Sequence, residues 1–158
     1  MATPDFVVAL REKVGHAPLW MSGVTAVVVE EGSGALLLVR RADTDAWTPV
    51  TGIIDPGEEP AVAGAREVLE EAGIIAQAER LVDVRTLPTI TYANGDQAQY
   101  LDLCFLFTAR GGQAPYPADG ENTEAVWVDP ADLSGVNDRF REQIAQALSG
   151  EQAASFRR

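Results

Sequence analysis

Residues 52–74 read GIIDPGEEPAVAGAREVLEEAGI, and their carboxylates follow a pattern that amphipathicity alone does not require. Glu67, Glu70 and Glu71 stand at i, i+3 and i+4, which on an α-helix places all three on one stripe. Like charges on one stripe repel. The arrangement costs stability unless something positive sits among them, and a divalent cation with oxygen ligands is the simplest candidate. The stretch also carries its own helix signals. Pro56-Gly57 makes a turn, Pro60 suits the first helical turn and Gly73 supplies a left-handed terminator, so the spacing predicts a helix over about residues 59–72. Ala61, Ala65, Val68, Leu69 and Ala72 form a small, apolar opposite face suited to packing on a sheet. One face is then core and the other acid. The plainer alternative for such a stripe is a solvated acidic surface.

Written as G-x5-E-x7-R-E-U-x-E-E-x-G-U, with U aliphatic, every fixed position is filled, by Gly52, Glu58, Arg66, Glu67, Val68, Glu70, Glu71, Gly73 and Ile74. In this the stretch resembles the Nudix box, and its strand-turn-helix context is the one the motif needs. The resemblance implies an α/β fold, a Nudix-type α/β/α sandwich with a mixed β-sheet. It also implies metal-dependent hydrolysis of a diphosphate linkage in a nucleoside diphosphate joined to another moiety. The cofactor so implied is Mg2+, with Mn2+ as a substitute, and the partner is a small nucleotide-type substrate. By the same resemblance Glu70 and Glu71 are the best metal ligands, Glu67 is a ligand or a base, Glu58 is a further ligand or a support, and the Gly52 carbonyl is a ligand. The general base in similar enzymes can come instead from a late loop, where Glu121 and Glu124 are the candidates here. Arg66 reads as structural, facing away from part of the stripe and holding a carboxylate such as Glu58 through a bidentate pair.

Composition sets the outer limits. A chain of 158 residues, 46% hydrophobic and 23% charged, is most simply one globular domain with one substantial core. The formal net charge of −12 argues against nucleic-acid polymers and anionic membranes as partners. A lone cysteine, Cys104, cannot form an internal disulfide. With no signal pattern and no long apolar run, the chain reads as cytoplasmic and unanchored.

Outward from the box, residues 24–30 and 35–40 read as strands around a Gly32-Ser33-Gly34 turn, their near-continuous apolar runs pointing to cover on both faces. Arg40 and Arg41 mark the exit of the second strand and precede Trp47. They are either solvated charge with a capping ring, or groups that contact substrate phosphate and base. Trp47-Thr48-Pro49-Val50-Thr51 departs from the usual family run, which has a proline and a first glycine just before the box. Residues 74–88 read as one or two strands with Leu81, Val82, Val84 and Leu87 as core, and Asn94-Gly95 predicts a hairpin with a primed turn. In the strand 100–108, Leu101, Leu103, Phe105 and Phe107 share one face and Asp102, Cys104 and Leu106 the other.

Residues 110–120 are a turn-rich loop of the kind that borders sites, 125–128 a short strand carrying Trp127, and 137–148 a closing helix with Phe140, Ile144, Ala147 and Leu148 on one face. Residues 1–18 hold a helical appendage, capped by Thr3 and striped by Phe6, Leu10 and Val14, that packs on the fold or on a second copy in a homodimer. His16 follows it in a surface or capping role. Residues 150–158 read as a polar tail that frays.

Magnesium suits a site made of several carboxylates and little else, and the absence of histidine and cysteine from the stripe argues against zinc. Two rival readings are a nucleotide-binding module without turnover and an isoprenoid diphosphate isomerase, which wants a catalytic cysteine near its pocket. Pro88 and Tyr92 lie near positions that hint at ADP-ribose or dinucleoside polyphosphate substrates in the family. The two hints point in different directions.

Overall fold

The computed structural model describes residues 3–158. The chain runs through α1 (Asp5–Val14), β1 (Leu19–Glu30), β2 (Leu36–Arg41), β3 (Trp47–Thr48), β4 (Val50–Ile53), α2 (Pro60–Ala72), β5 (Ala76–Thr86), β6 (Ile90–Thr91), β7 (Gln97–Ala109), β8 (Asn122–Val128), α3 (Asp138–Leu148) and β9 (Ser155–Phe156). The strands form one sheet in the order β3-β2-β1-β7-β5-β9, with β4 added to β1, β6 to β7 and β8 to β2. β1 and β7 run parallel, whereas β1 with β4, β2 with β8 and β5 with β7 are antiparallel, so the sheet is mixed.

The apolar runs on β1 and β2 follow from cover on both faces. Ala26, Val28, Leu37 and Val39 pack with Val68 and Ala72 of α2, while Val27, Leu36 and Leu38 pack with Phe140, Ile144 and Ala147 of α3. β7 alternates in the same way, with Phe107 toward α2 and Cys104 toward α3. The result is an α/β/α sandwich. Helix α2 sits close to the sheet because Gly64 has no side chain: a Cβ there would lie 2.6 Å from Phe107 Cζ. Among the described residues no helix is long and apolar enough to cross a membrane.

The two-faced reading of α2 is corrected. Leu69 is 51% exposed, whereas Glu67 and Glu71 are each 1% exposed. Gly64, Val68 and Ala72 make one buried row, and Ala63, Glu67 and Glu71 make a second beside it. Small residues at the start of both rows let the helix lie close to β1 and β7, and Gly52 on β4 leaves room for Glu67 to turn inward.

The terminal elements differ from expectation too. Pro4, not Thr3, is the N-cap of α1. Leu10 and Val14 are exposed, and the helix is anchored instead by buried Val7 and by Arg11, whose guanidinium donates to the Gln97 carbonyl at 2.6 Å. Residues 1–2 of the predicted appendage lie outside the described residues. His16 is surface-exposed, with Nδ1 2.8 Å from Asp96 Oδ1, tying the chain after α1 to the hairpin.

That hairpin is closed by Gly95 N–H donating to the Tyr92 carbonyl, with Gly95 at φ 89° and Asn94 on the ordinary side of the map. It is therefore a right-handed turn ending in a left-handed glycine, not the primed turn predicted. Asn94 bonds both the backbone N–H and the carboxylate of Asp96, which holds it in that conformation.

The tail does not fray. β9 adds in parallel to β5, and Ser155 Oγ donates to Asp83 Oδ1 at 2.5 Å. Asp83 is 1% exposed and needs donors, which Arg85 and Ser155 supply. Helix α3 starts as predicted, with Asn137 Oδ1 accepting from the Phe140 N–H at 3.1 Å. Leu148, expected on its buried face, is 43% exposed at the last turn.

Candidate active site

The site begins where β4 meets α2. A Cβ on Gly52 would fall 2.2 Å from Glu67 Cδ, so glycine is what lets that carboxylate lie against the strand backbone. Pro60 opens the helix and Gly73, at φ 66°, closes it, its N–H donating to the Leu69 carbonyl at 3.0 Å. The helix end is then covered by the loop before β8. Tyr116 N–H donates to the Ala72 carbonyl and Ala118 N–H to the Glu71 carbonyl, both at 3.1 Å, which satisfies acceptors that a helix terminus leaves open.

The positive group among the acids is Arg66. Its Nε and Nη2 donate to the two Glu58 carboxylate oxygens, each at 2.9 Å, in the bidentate pair expected from the sequence. The same guanidinium also donates from Nη1 to Glu67 Oε1 at 2.9 Å and to Glu70 Oε2 at 3.2 Å, and from Nη2 to the Ile53 carbonyl at 3.2 Å. This holds the Glu58 carboxyl below the ordinary carboxylate range. Glu70, with a side chain 48% exposed, lies at the open edge.

Glu67 and Glu71 behave differently. Burial pushes each from 4.5 up to about 7, opposed at Glu67 by Arg66. At Glu71 the opposition comes from a hydrogen bond in which Asn122 Nδ2 donates to Oε2 at 2.9 Å, and from Arg41, while Asp119 reinforces the rise. Glu67 Oε2 and Glu71 Oε1 are buried without a hydrogen-bond partner. Among the described residues no three histidine, cysteine, aspartate or glutamate side chains converge on one point. What the site offers a cation is these two buried, unpartnered carboxylate oxygens, all-oxygen and negatively charged, which is the chemistry a hard divalent ion requires.

The strand arginines divide between the two faces. Arg41 shares its parity on β2 with Leu37 and Val39, on the α2 side, and there it pairs with Asp43 at 3.0 Å and Glu121 at 3.7 Å. Arg40 is on the α3 side, bonded to Asp45 and, at 2.8 Å, to Glu124, with Trp47 5.9 Å from its guanidinium carbon. The structure therefore brings Arg41 and Glu121 toward Glu71 and leaves Arg40, Trp47 and Glu124 across the sheet. Cys104 is wholly buried on the α3 side, and burial pushes its thiol up, so it stays protonated.

Asn122 was not singled out in the sequence. Strict alternation along β8 would set Thr123 with Ala125 and Trp127 on the α2 side and leave Asn122 on the other. However, the β2–β8 register shifts at Arg40/Arg41, pairing Arg40 with Glu124 and Arg41 with Asn122. The extra residue, Thr123, reverses the parity and turns Asn122 toward Glu71. A bulge of this kind leaves no mark in residue periodicity.

A mixed sheet between two helices, with a strand glycine pressed against buried acids and an arginine clamping their neighbours, defines an α/β/α sandwich of the Nudix type. The chain belongs to that family: the NUDIX domain model matches residues 20–149. It is 33% identical over 134 residues to a MutT-like protein of Streptomyces ambofaciens, covering 84% of this chain and 80% of the relative. It is also 32% identical over 83 residues to the dihydroneopterin triphosphate diphosphatase of Escherichia coli, covering 52% of this chain and 54% of that one. A NUDIX family hydrolase from Clostridium perfringens has the same fold, with TM-score 0.65 at 18% identity over 82% of this chain and 96% of that one. By family the chain is a pyrophosphohydrolase.

Proposed function

We propose that this enzyme hydrolyses a diphosphate linkage within a nucleoside diphosphate joined to another moiety, using a divalent cation, Mg2+ or Mn2+ in its place. The observation that carries this reading is the pair of buried carboxylates, Glu67 and Glu71, each with one oxygen that no protein group satisfies. A buried carboxylate oxygen left without a donor is costly, and on Nudix-box positions the natural compensation is a metal ion.

Glu67, Glu70 and Glu71 would hold the cation, with the Gly52 carbonyl and Glu58 as further oxygens. When bound, the ion neutralises the substrate phosphates, polarises the P–O bond and makes a coordinated water more acidic. Glu67, seated against Gly52, and exposed Glu70 bracket the clamp, and Arg66 keeps Glu58, Glu67 and Glu70 in fixed relative positions. Of the two late-loop candidates for proton acceptor, Glu121 is the one on the Glu71 side of the sheet, where it pairs with Arg41, whereas Glu124 is bonded to Arg40 on the other face. Arg41, on the Glu71 side of the sheet, would meet a substrate phosphate by exchanging Asp43, which its fork now holds at two points, for the anion.

The names of the relatives support a nucleotide-type substrate: a putative 8-oxo-dGTP diphosphatase of Bacillus subtilis, 34% identical over 116 residues, stands among them. The test is a nucleotide panel with Mg2+, read by mass spectrometry in isotopically labelled water, comparing the native protein with Glu71→Gln. The expected result is a nucleotide plus a phosphorylated remainder from the native protein and a loss on the order of a hundredfold in the variant. Equal turnover in both would remove Glu71 from the site, and binding without product would favour the silent module. Turnover of an isoprenoid diphosphate without hydrolysis would favour the isomerase, for which buried Cys104 is poorly placed.

A further inference from the structure

We propose that Asn122 is a positioning residue for the cation site: its amide fixes one oxygen of Glu71 and so presents the other, unpartnered, to the ion. The proposal rests on the reading of Glu71 as a cation ligand.

Three observations support it. Asn122 is 4% exposed and Glu71 is 1% exposed, so the 2.9 Å bond from Nδ2 to Oε2 joins two buried groups with no water-facing alternative. The remaining oxygen of each group, Glu71 Oε1 and Asn122 Oδ1, is buried and has no partner, which is the state of a polar cluster built around something not made of protein. Finally, the bulge that turns Asn122 toward α2 interrupts an otherwise regular β2–β8 ladder, a distortion suited to aiming one side chain. A carboxylate at this position would set a second negative charge against Glu71. A neutral amide instead donates to one oxygen and leaves the charge of the other for the ion, as partners behind metal ligands do.

The test compares Asn122→Val with Asn122→Thr, two variants of nearly equal volume and both suited to a strand, of which only threonine keeps a donor. The probe is Mn2+ alone, titrated into the full-length protein without nucleotide and read by electron paramagnetic resonance of the free ion. Steady-state turnover is measured in parallel. The expected result is Mn2+ affinity weaker by about tenfold or more in Asn122→Val, with a smaller loss in Asn122→Thr. kcat should fall further than KM rises, because Asn122 acts through Glu71 and not through substrate. Circular dichroism melts establish that both variants are folded. A folded Asn122→Val that binds Mn2+ as the native protein does overturns the proposal, as do equal losses in the two variants. A native protein that binds no Mn2+ overturns the cation site itself, so the two failures are separable.

Discussion

If Glu67 and Glu71 are buried as described, the metal-free protein should lose stability as pH rises from about 4.5 to about 7, opposite to what ion-paired carboxylates do. Each has an ordinary value of 4.5 and is pushed to about 7 in the folded chain. Below about pH 4.5 both states are protonated and there is no penalty. Between about 4.5 and 7 the unfolded chain has released its protons while the folded chain keeps them, so unfolding is favoured increasingly with pH. At about 1.4 kcal/mol per unit, a rise of about two and a half units costs about 3–4 kcal/mol for one residue, and about 3–7 kcal/mol for the coupled two.

The assay is urea denaturation in EDTA at about pH 5 and about pH 7.5, for the native protein and for Glu67→Gln/Glu71→Gln. The carboxylates held low by partners, Glu58 and Asp96 among them, lose their contribution only in more acidic solution. Asp102, pushed up by burial, adds a smaller fall of the same sign that the double variant retains. The native protein should weaken across the window, the double variant should lose most of that dependence, and Mg2+ at about a hundred times its Kd should return about 2.7 kcal/mol at the higher pH. A flat native profile, or a double variant with the full native slope, would refute the reasoning.

Two further outcomes follow from the packing around the same helix. Gly64→Ala places a methyl 2.6 Å from the ring of wholly buried Phe107, so the variant should be about 1–3 kcal/mol less stable in urea despite alanine's better helix propensity; unchanged stability would mean α2 is not seated as described. Arg66→Lys keeps the charge but cannot hold Glu58 at two points while also reaching Glu67 and Glu70, so kcat should fall by about 10–100-fold with the melting temperature little changed.

What could be read without coordinates was whatever depends on neighbours in the chain. Pro60 and Gly73 bound α2 because a missing N–H and a positive φ are local properties. The two-sided apolar runs of β1 and β2 announced a covered sheet, and the Arg66–Glu58 pair followed from spacing within one turn and one helix. Errors arose where a distant segment decided the outcome. Ser155 is drawn into the sheet by the needs of buried Asp83, which the tail's composition does not reveal. α1 is held through Arg11 and Val7 while Leu10 and Val14 of its apolar stripe stay in solvent.

The acidic site divides along the same line. That Glu67, Glu70 and Glu71 share a stripe is a consequence of helical periodicity and belongs to the sequence alone. Which of them is buried depends on how closely Ala63 and Gly64 let the helix approach β1 and β7, and on the room that Gly52 leaves beside β4. Which partner Glu71 finds depends on a one-residue bulge in β8, fully 51 positions from it along the chain, that carries Asn122 across the plane of the sheet. Periodicity specifies faces, but only the assembled layers set depth and partners, because desolvation and hydrogen bonding are properties of what surrounds a group in space.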